Sequence, residues 1–320
     1  MEGTGAVIAA ASRRVARPII RLGGISLVQR LVLTFRKAGV SDIVVVTGFE
    51  DPEIKAQLTG EGVVFIQLAD YQDPELIESF RLGLGYLAAK SSRIFLTPVN
   101  APMFSFATVT AMVTAMGASG AQVVIPSFRG RAGHPILVSA GVVDEVVGYD
   151  GEEGLAGFIR TTRADRRWIA VEDEGILLTV RDPSALRRML PAHDESLIQP
   201  WWTLGIRTSK VVFDGRTLLL LRLLDESHAM SAACRSMSLS LSRAWRMVND
   251  LEKDLGFRVV TRTQGGRQGG TTRLSEEGQI LVAAYTAYSE RVGAAVEAGY
   301  QDFWRAISPL IAAPPDGEQR

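Results

Sequence analysis

Across its first ~190 residues the chain alternates short β-branched runs with stretches of helical length, which restricts it to a largely parallel sheet with helices on both faces. The candidate strands are residues 7–10, 43–46, 94–96, 123–125, 136–138 and 176–180. Between the first two, residues 27–38 stack Leu27, Leu31 and Phe35 on one helical face, and Gly39 follows as a stop signal. Crossovers between such strands are expected to be right-handed.

The stretch 191–200 is polar apart from Leu197 and Ile198, and it reads as the junction after which the texture changes. The expected division is a first domain over 1–195, a linker over 196–206, a second domain over 207–300 and a tail over 301–320. The second domain reads as helix, short helix, turn, helix, glycine-rich hairpin and long helix. Leu218, Leu219, Leu221 and Leu224 give its first helix an apolar face, and residues 230–236 form a short second one. In the third, Leu241, Trp245, Val248, Leu251 and Leu255 recur at helical spacing, so that face packs inward until Gly256 ends the helix. Residues 259–263 and 271–274 then form a β-hairpin whose tip, 264–270, holds four glycines. Ser275-Glu-Glu-Gly caps a final helix expected to run to about Gly299, before a Pro-rich tail over 313–320.

Charge separates the two parts. The whole chain carries 35 basic and 35 acidic side chains. Between Arg207 and Arg273, however, twelve basic residues face six acids, so that segment is +6 and the remainder −6. A basic module on an acidic one points to a polyanionic partner for the basic part alone. The single cysteine, Cys234, excludes an intramolecular disulfide and a cysteine-based zinc site. No apolar run approaches the ~20 residues that cross a bilayer, and the apolar stretch 6–11 has no basic residue ahead of it as a secretory signal would. The expected location is the cytoplasm.

On the third helix of the basic part, Arg243, Arg246, Asn249 and Lys253 lie opposite the apolar stripe. Ser238, Ser240 and Ser242 crowd its N-terminus, where free N–H groups and the helix dipole favour phosphate. Preceded by a short helix and a tight turn, such a helix has the form of a recognition helix entering a major groove. Arg262, Arg267 and Gln268 on the hairpin add donors to a glycine-rich wing. Exposed arginines are also common as merely solvated side chains, so charge by itself leaves DNA binding and a protein-interaction role both open. The base readers on this view are Arg243, Arg246 and Asn249.

Ser231-Ala-Ala, the run Ser240-Leu-Ser-Arg-Ala-Trp-Arg-Met-Val-Asn-Asp-Leu-Glu252 and the wing Thr263-Gln-Gly-Gly-Arg-Gln-Gly-Gly270 resemble the DNA-binding domain of ModE-type molybdate-responsive regulators. The match covers about residues 207–285. The resemblance implies a winged helix-turn-helix that binds double-stranded DNA as a homodimer paired through the last helix.

The first strand and its loop, Ala6-Val-Ile-Ala-Ala-Ala-Ser-Arg-Arg-Val-Ala-Arg-Pro-Ile-Ile-Arg-Leu-Gly-Gly24, resemble the start of the MobA/MocA-like molybdenum-cofactor nucleotidylyltransferases. Ala38-Gly-Val40, Asp42-Ile-Val-Val-Val-Thr-Gly48, Ser79-Phe-Arg-Leu-Gly-Leu84, Gly130-Arg-Ala-Gly-His-Pro135 and 150–154 follow in the order of that family. The resemblance, over roughly residues 5–190, implies a Rossmann-like nucleotidyltransferase fold and an enzyme that uses Mg²⁺.

Several positions depart from that pattern. Ala11 stands where a glycine opens the phosphate loop, and the loop is about three residues short. Arg17 replaces the lysine, Asn100 a metal-binding aspartate, and Arg181 the acid of the late segment Thr179-Val-Arg-Asp-Pro183. Asn is a weak neutral ligand and Arg repels a cation. Pro183 also turns the neighbouring Asp182 out of register. No catalytic or metal-ligating residue is therefore assigned, and Mg²⁺ enters only if the site is active. The expected ligand-contacting residues are Ala11, Ser12, Arg13, Arg17, Ser79, Asn100 and His134. Arg13, Arg14, Arg17 and Arg21 suit an anion held without metal. His134 reads equally as a ligand contact or a histidine bonded within a turn. His193 and His228 are expected to face solvent. The function these features point to is a dimeric transcriptional regulator whose front domain senses a nucleotide or molybdopterin-type ligand. The rival is an active cytidylyl- or guanylyltransferase using Asp150 or Asp182, and a third reading is an inert scaffold.

Overall fold

A computed structural model describes residues 3–12, 16–69, 75–207, 211–263 and 271–312. The chain divides into two compact units, Met1–Ile198 with Arg235–Ser238, and Gln199–Cys234 with Leu239–Arg320.

In the first unit the order is β1 (Thr4–Ala10), α1 (Leu27–Lys37), β2 (Asp42–Thr47), α2 (Asp51–Gln57), β3 (Val64–Gln67), α3 (Leu76–Leu87), β4 (Arg93–Pro98), α4 (Phe106–Ser119), β5 (Val123–Phe128), β6 (Ile136–Ser139), α5 (Val143–Gly148), α6 (Gly154–Thr161), β7 (Arg166–Ala170) and α7 (Pro183–Ser196). The strands assemble as β7-β5-β6-β4-β1-β2-β3. β1 is parallel to both its neighbours, with Ala10 opposite Thr47 of β2 and Ala9 opposite Pro98 of β4. β6 runs antiparallel between β4 and β5, and the short strand Arg131–Ala132 adds antiparallel to β5. The expected α/β sheet, mainly parallel with helices on both faces, is thus what the chain forms.

Pleating divides β1 between two layers. Ala6, Ile8 and Ala10 belong to the larger core with Leu31 and Phe35 of α1 and Val109 and Met112 of α4. Phe35, Phe95 and Phe104 pack there with ring centroids 5.5–5.6 Å apart. Val7 meets α3 on the opposite face. A Cβ on Gly83 would lie 2.3 Å from Val7 Cγ1, so glycine is what lets α3 approach the central strand. α1 begins with a capping box between Ser26 and Gln29, and Gly39 beyond its end has φ +81°.

Three expectations for this unit are corrected. Residues 176–180 are not a strand: a 3₁₀ turn (Glu174–Leu177) and an irregular segment occupy them. Strands β3 and β7 were not expected, the latter having an exposed arginine-rich edge. Residues 191–196, read as linker, are the last turns of α7, with Pro191 on its exposed side. That extension carries His193 inward, where Arg30 Nη1 lies 2.9 Å from its Nδ1 and its Nε2 lies 3.2 Å from the Phe104 carbonyl. Arg30 is itself fully buried and reaches Asp194 at 2.5 Å and the Leu22 carbonyl at 2.8 Å. Burial, then the adjacent guanidinium, push the His193 pKa down. The buried Arg30 cation is matched by Asp194 and His193, which the continued helix supplies, and by the Leu22 carbonyl.

Beyond residue 198 the chain forms β8 (Gly205–Arg207) and β9 (Val211–Asp214), an antiparallel pair, then α8 (Gly215–Ser227), α9 (Met230–Met237), α10 (Leu241–Leu255), the hairpin strands β10 (Val260–Thr263) and β11 (Thr271–Leu274), and α11 (Glu276–Ala312). Asp214 caps α8 by accepting from Thr217 N at 2.8 Å. The buried face of α8 is Leu220, Leu221, Leu223 and Leu224, so Leu218 and Leu219 are only half-buried. His228 ends the helix in a left-handed conformation, half-buried rather than solvent-facing, and its carbonyl accepts from Thr272 N. Ser275 accepts from Gly278 N at 3.0 Å and starts α11, which spans 37 residues and so continues past the expected end at Gly299. Phe213 meets Tyr285 of α11 edge-on at 4.6 Å, and the Tyr285 hydroxyl donates to the Leu204 carbonyl. Among the described residues no helix is long and apolar enough to cross a membrane.

Gly83→Ala is expected to destabilise the first unit by roughly 1–3 kcal/mol through overpacking against Val7. Combined with Val7→Ala it should cost less than the sum of the single changes. Urea denaturation of the three variants measures both, and strict additivity would show that the α3 contact is misassigned.

Candidate functional site

Parallel strands deliver their carboxyl ends to one edge of a sheet, so the residues after β1, β2 and β4 emerge side by side. Ala11 and Ser12 follow β1 and are buried. Asn100 follows β4 by way of Val99, whose N–H bonds the Ala9 carbonyl of β1. A third segment joins them: the Asn100 carbonyl accepts from Val180 N at 3.0 Å, and His134 N donates to the Ile176 carbonyl at 2.9 Å. Asn100 and His134 are therefore tied together through residues 176–180, while Ala11 and Ser12 follow the adjacent strand β1. Ser79 lies buried one turn before Gly83 on α3. Arg13 and Arg14 lie outside the described residues.

Most of the charge at this edge is already engaged. Arg17, 62% exposed, donates from Nε to Glu50 Oε1 at 2.5 Å. Glu50, which the sequence reading passed over, is only 4% exposed, and its Oε2 has no hydrogen-bond partner. Arg21 donates to the Gly24 carbonyl. Asp182 Oδ2 accepts from both the backbone N–H and the hydroxyl of Thr179, at 3.0 and 3.1 Å, which bends the carboxylate back on its own turn. Asp173 accepts from Ser105 N, Thr108 Oγ1 and Gly175 N. Asp150 accepts from Glu152 N. Asn100 Oδ1 is buried without a hydrogen-bond partner, a neutral oxygen where a carboxylate would stand.

Mg²⁺ takes oxygen ligands in an octahedron, with carboxylates supplying the charge. Among the described residues the donors at these positions do not fit that ion. Asn100 is neutral, Arg181 is cationic, and Asp182 is turned to Thr179. Among the described residues no three His, Cys, Asp or Glu side chains converge as a metal group.

His134 Nδ1 is also buried and unpartnered. Burial alone lowers its pKa to about 4, so the ring is neutral at pH 7. A neutral imidazole can accept as well as donate, which suits contact with an uncharged polar group better than with an anion.

The second candidate surface lies on α10. Ser240 caps it, accepting from Arg243 N at 3.4 Å, and Gly256 ends it in the left-handed conformation. Ala244, Val248, Leu251 and Glu252 are buried, whereas Leu241 is 48% exposed. The inward stripe is thus displaced from the expected Leu241–Trp245 line, and Trp245 is only half-buried. Ser242, Arg243, Arg246, Asn249 and Lys253 are exposed. Neither Arg243 nor Arg246 has an ion-pair or hydrogen-bonding side-chain partner among the described residues. Arg262, expected as a wing contact, lies over the Trp245 ring with its guanidinium carbon 3.7 Å from the centroid, and donates to Asn249 Oδ1 at 3.3 Å. Arg267 and Gln268 lie outside the described residues.

Glu252 was missed as well. Its Oε1 accepts from Val259 N at 2.9 Å and Val260 N at 3.1 Å, and its Oε2 accepts from Arg258 at 2.9 Å. A buried carboxylate thereby fixes the turn from α10 into the hairpin. The signal was present: Ala244, Val248 and Glu252 recur every four residues, so Glu252 falls on the inward face.

Residues 6–167 match the MobA-like NTP transferase domain, about half of the chain. The chain belongs to the MobA-like NTP transferase family. Solved structures with the fold of this MobA-like unit include Rv0371c from Mycobacterium tuberculosis H37Rv, at a TM-score of 0.50 and 20% identity over 59% of this chain and 98% of that one. A nucleotidyl transferase from Methanothermobacter thermautotroptrophicus gives a TM-score of 0.50 at 21% identity, over 60% and 98%. The C-terminal region is similar to the molybdenum-pterin-binding protein MopB of Rhodobacter capsulatus, 38% identical over 68 residues, and to the molybdenum transport protein ModE of Azotobacter vinelandii, 32% identical over 68 residues. Each match covers 21% of this chain and 25% of the relative, so the chain spans about a quarter of the length of these curated relatives.

Two outcomes test this geometry. Because the folded MobA-like unit keeps His134 neutral down to about pH 4, the unfolded chain takes up a proton there first as pH drops below ~6.5. Stability is then complete above ~6.5 and declines towards pH 4. Urea melts should show His134→Gln removing about 1–2 kcal/mol of the loss between pH 7 and 5. An unchanged slope would mean that the ring is solvated. In the second unit, Glu252→Ala leaves two buried N–H groups without an acceptor and should cost roughly 2–4 kcal/mol, with Glu252→Gln costing less; thermal melting followed by circular dichroism distinguishes them.

Proposed function

We propose that this chain is a DNA-binding transcriptional regulator linked to molybdenum or molybdopterin metabolism. In this reading the second unit is a winged helix-turn-helix that binds double-stranded DNA as a homodimer, and the MobA-like unit is a catalytically degenerate ligand sensor. The observation that carries the reading is the outward face of α10, where Arg243 and Arg246 stand exposed, without a side-chain ion pair among the described residues, on a capped helix followed by a hairpin. Similarity to part of ModE, a molybdenum transport protein, supports the pathway. The sensing role draws on a different contrast. The MobA-like edge keeps a family architecture while its carboxylates are bonded elsewhere and Asn100 offers only a neutral oxygen.

An active nucleotidylyltransferase is the second reading, favoured by the match over residues 6–167. It requires Asp182 to leave its bonds to Thr179, and no step is assigned to it.

DNA binding is measured by fluorescence anisotropy on duplexes recovered from genomic fragments. Arg243→Ala and Arg246→Ala should each weaken specific binding by roughly 1–3 kcal/mol while leaving non-specific binding nearly intact. Calorimetry with GTP, CTP and molybdopterin precursors should give binding without turnover. Nucleotide transfer in Mg²⁺ that Asp182→Ala abolishes would replace the sensor with an enzyme, whereas absence of any ligand binding alongside intact DNA binding would leave a scaffold.

A further inference from the structure

A cation stacked on an aromatic ring is a rigid support, because the planar guanidinium is held over one face and its N–H groups point in a fixed plane. Arg262 of β10 has this geometry over Trp245 of α10, 3.7 Å from the ring centroid. From there its Nη2 donates at 3.3 Å to Oδ1 of Asn249, one helical turn beyond Trp245. The donor decides the amide orientation: oxygen faces Arg262, and the Nδ2 amino group is left for solvent or a partner.

Asparagine reads adenine in a major groove by accepting from the N6 amino group and donating to N7 at once. Here the oxygen is occupied, and its remaining lone pair lies beside a guanidinium, where an approaching amino group meets positive charge. The groups left to Asn249 and Arg262 for a base edge are donors. Guanine presents two acceptors in the major groove, O6 and N7, whereas adenine presents one acceptor and one donor. We propose that Arg262 is a positioning residue that converts Asn249 into a donor-only reader, so that the pair selects guanine over adenine at one position of the DNA site. This rests on the DNA-binding reading above and adds a specificity rule to it.

Selection from a pool of randomised duplexes at fixed salt, using the full-length protein, tests it. Wild type is expected to enrich a motif in which one position favours guanine over adenine by about tenfold. Arg262→Ala should admit adenine at that position and leave the others unchanged, and Arg262→Lys, which keeps a donor, should restore guanine. Asn249→Ala should erase discrimination at that same position. A loss of affinity spread evenly over all sequences would mark Arg262 as merely structural and overturn the proposal, as would an effect of Asn249→Ala at a different position. If wild type enriches no duplex, the DNA-binding reading fails and this rule with it. Should Arg262→Ala not fold, the Arg262→Lys and Asn249→Ala motifs decide alone, and a lysine motif indifferent between adenine and guanine would overturn the proposal.

Discussion

The buried central strand β1 governs the first unit. Held in parallel between β2 and β4, it forces the ends of three strands to one edge, and whatever chemistry the unit has must be built from the segments that begin there. Its side chains are small because both faces are covered: alternate residues enter the larger core, and Val7 sits against a helix that approaches closely only because position 83 has no Cβ. Replacing loop residues alters the chemistry at the edge without altering that frame. Frame and edge chemistry are therefore set by different residues.

At the edge itself the polar groups are divided between those satisfied inside the protein and those left over. Arg17 is engaged by Glu50, Asp182 by Thr179, and Asp173 by three donors. The buried groups with no hydrogen-bond partner, Glu50 Oε2, Asn100 Oδ1 and His134 Nδ1, include two fixed acceptors and one ring nitrogen able to accept. Buried acceptors without donors are costly, so these three atoms are the least satisfied polar groups at the edge where the strands end.

Much of this was legible in the sequence, for reasons that particular residues make plain. The β-branched runs of β1, β2 and β4 are buried on both faces and leave an unmistakable pattern, and the cap residues Ser26, Ser240 and Ser275 announce their helices. Strand β7 was invisible because an edge strand with exposed arginines and Trp168 has no apolar run to detect. Residues 191–196 looked like linker because proline and polar side chains mask a helix whose inward contacts are made by an ion pair and a histidine. Of the site, the positions after β1 and β4 follow from motif order. The engagement of Arg17, Asp182 and Arg262 does not, since composition and spacing say nothing about which of several neighbours a long side chain will choose.

The two units solve the problem of surplus charge in opposite ways. In the first, cations are matched internally: Arg30 lies buried against His193 and Asp194, and Arg17 lies against Glu50. In the second, the one strongly buried acid of α10, Glu252, serves two backbone amides and Arg258 at the hinge of the hairpin, and so cannot offset Arg243 and Arg246 on the outer face. Arg243 lies in the first turn of α10, beside a capped N-terminus whose dipole opposes positive charge, a placement that helix stability by itself does not favour. The same placement is favourable once phosphate approaches, because the helix end and both guanidinium groups then act on it together. The hairpin braces that outer face, with the Arg262 guanidinium stacked on Trp245 and bonded to Asn249.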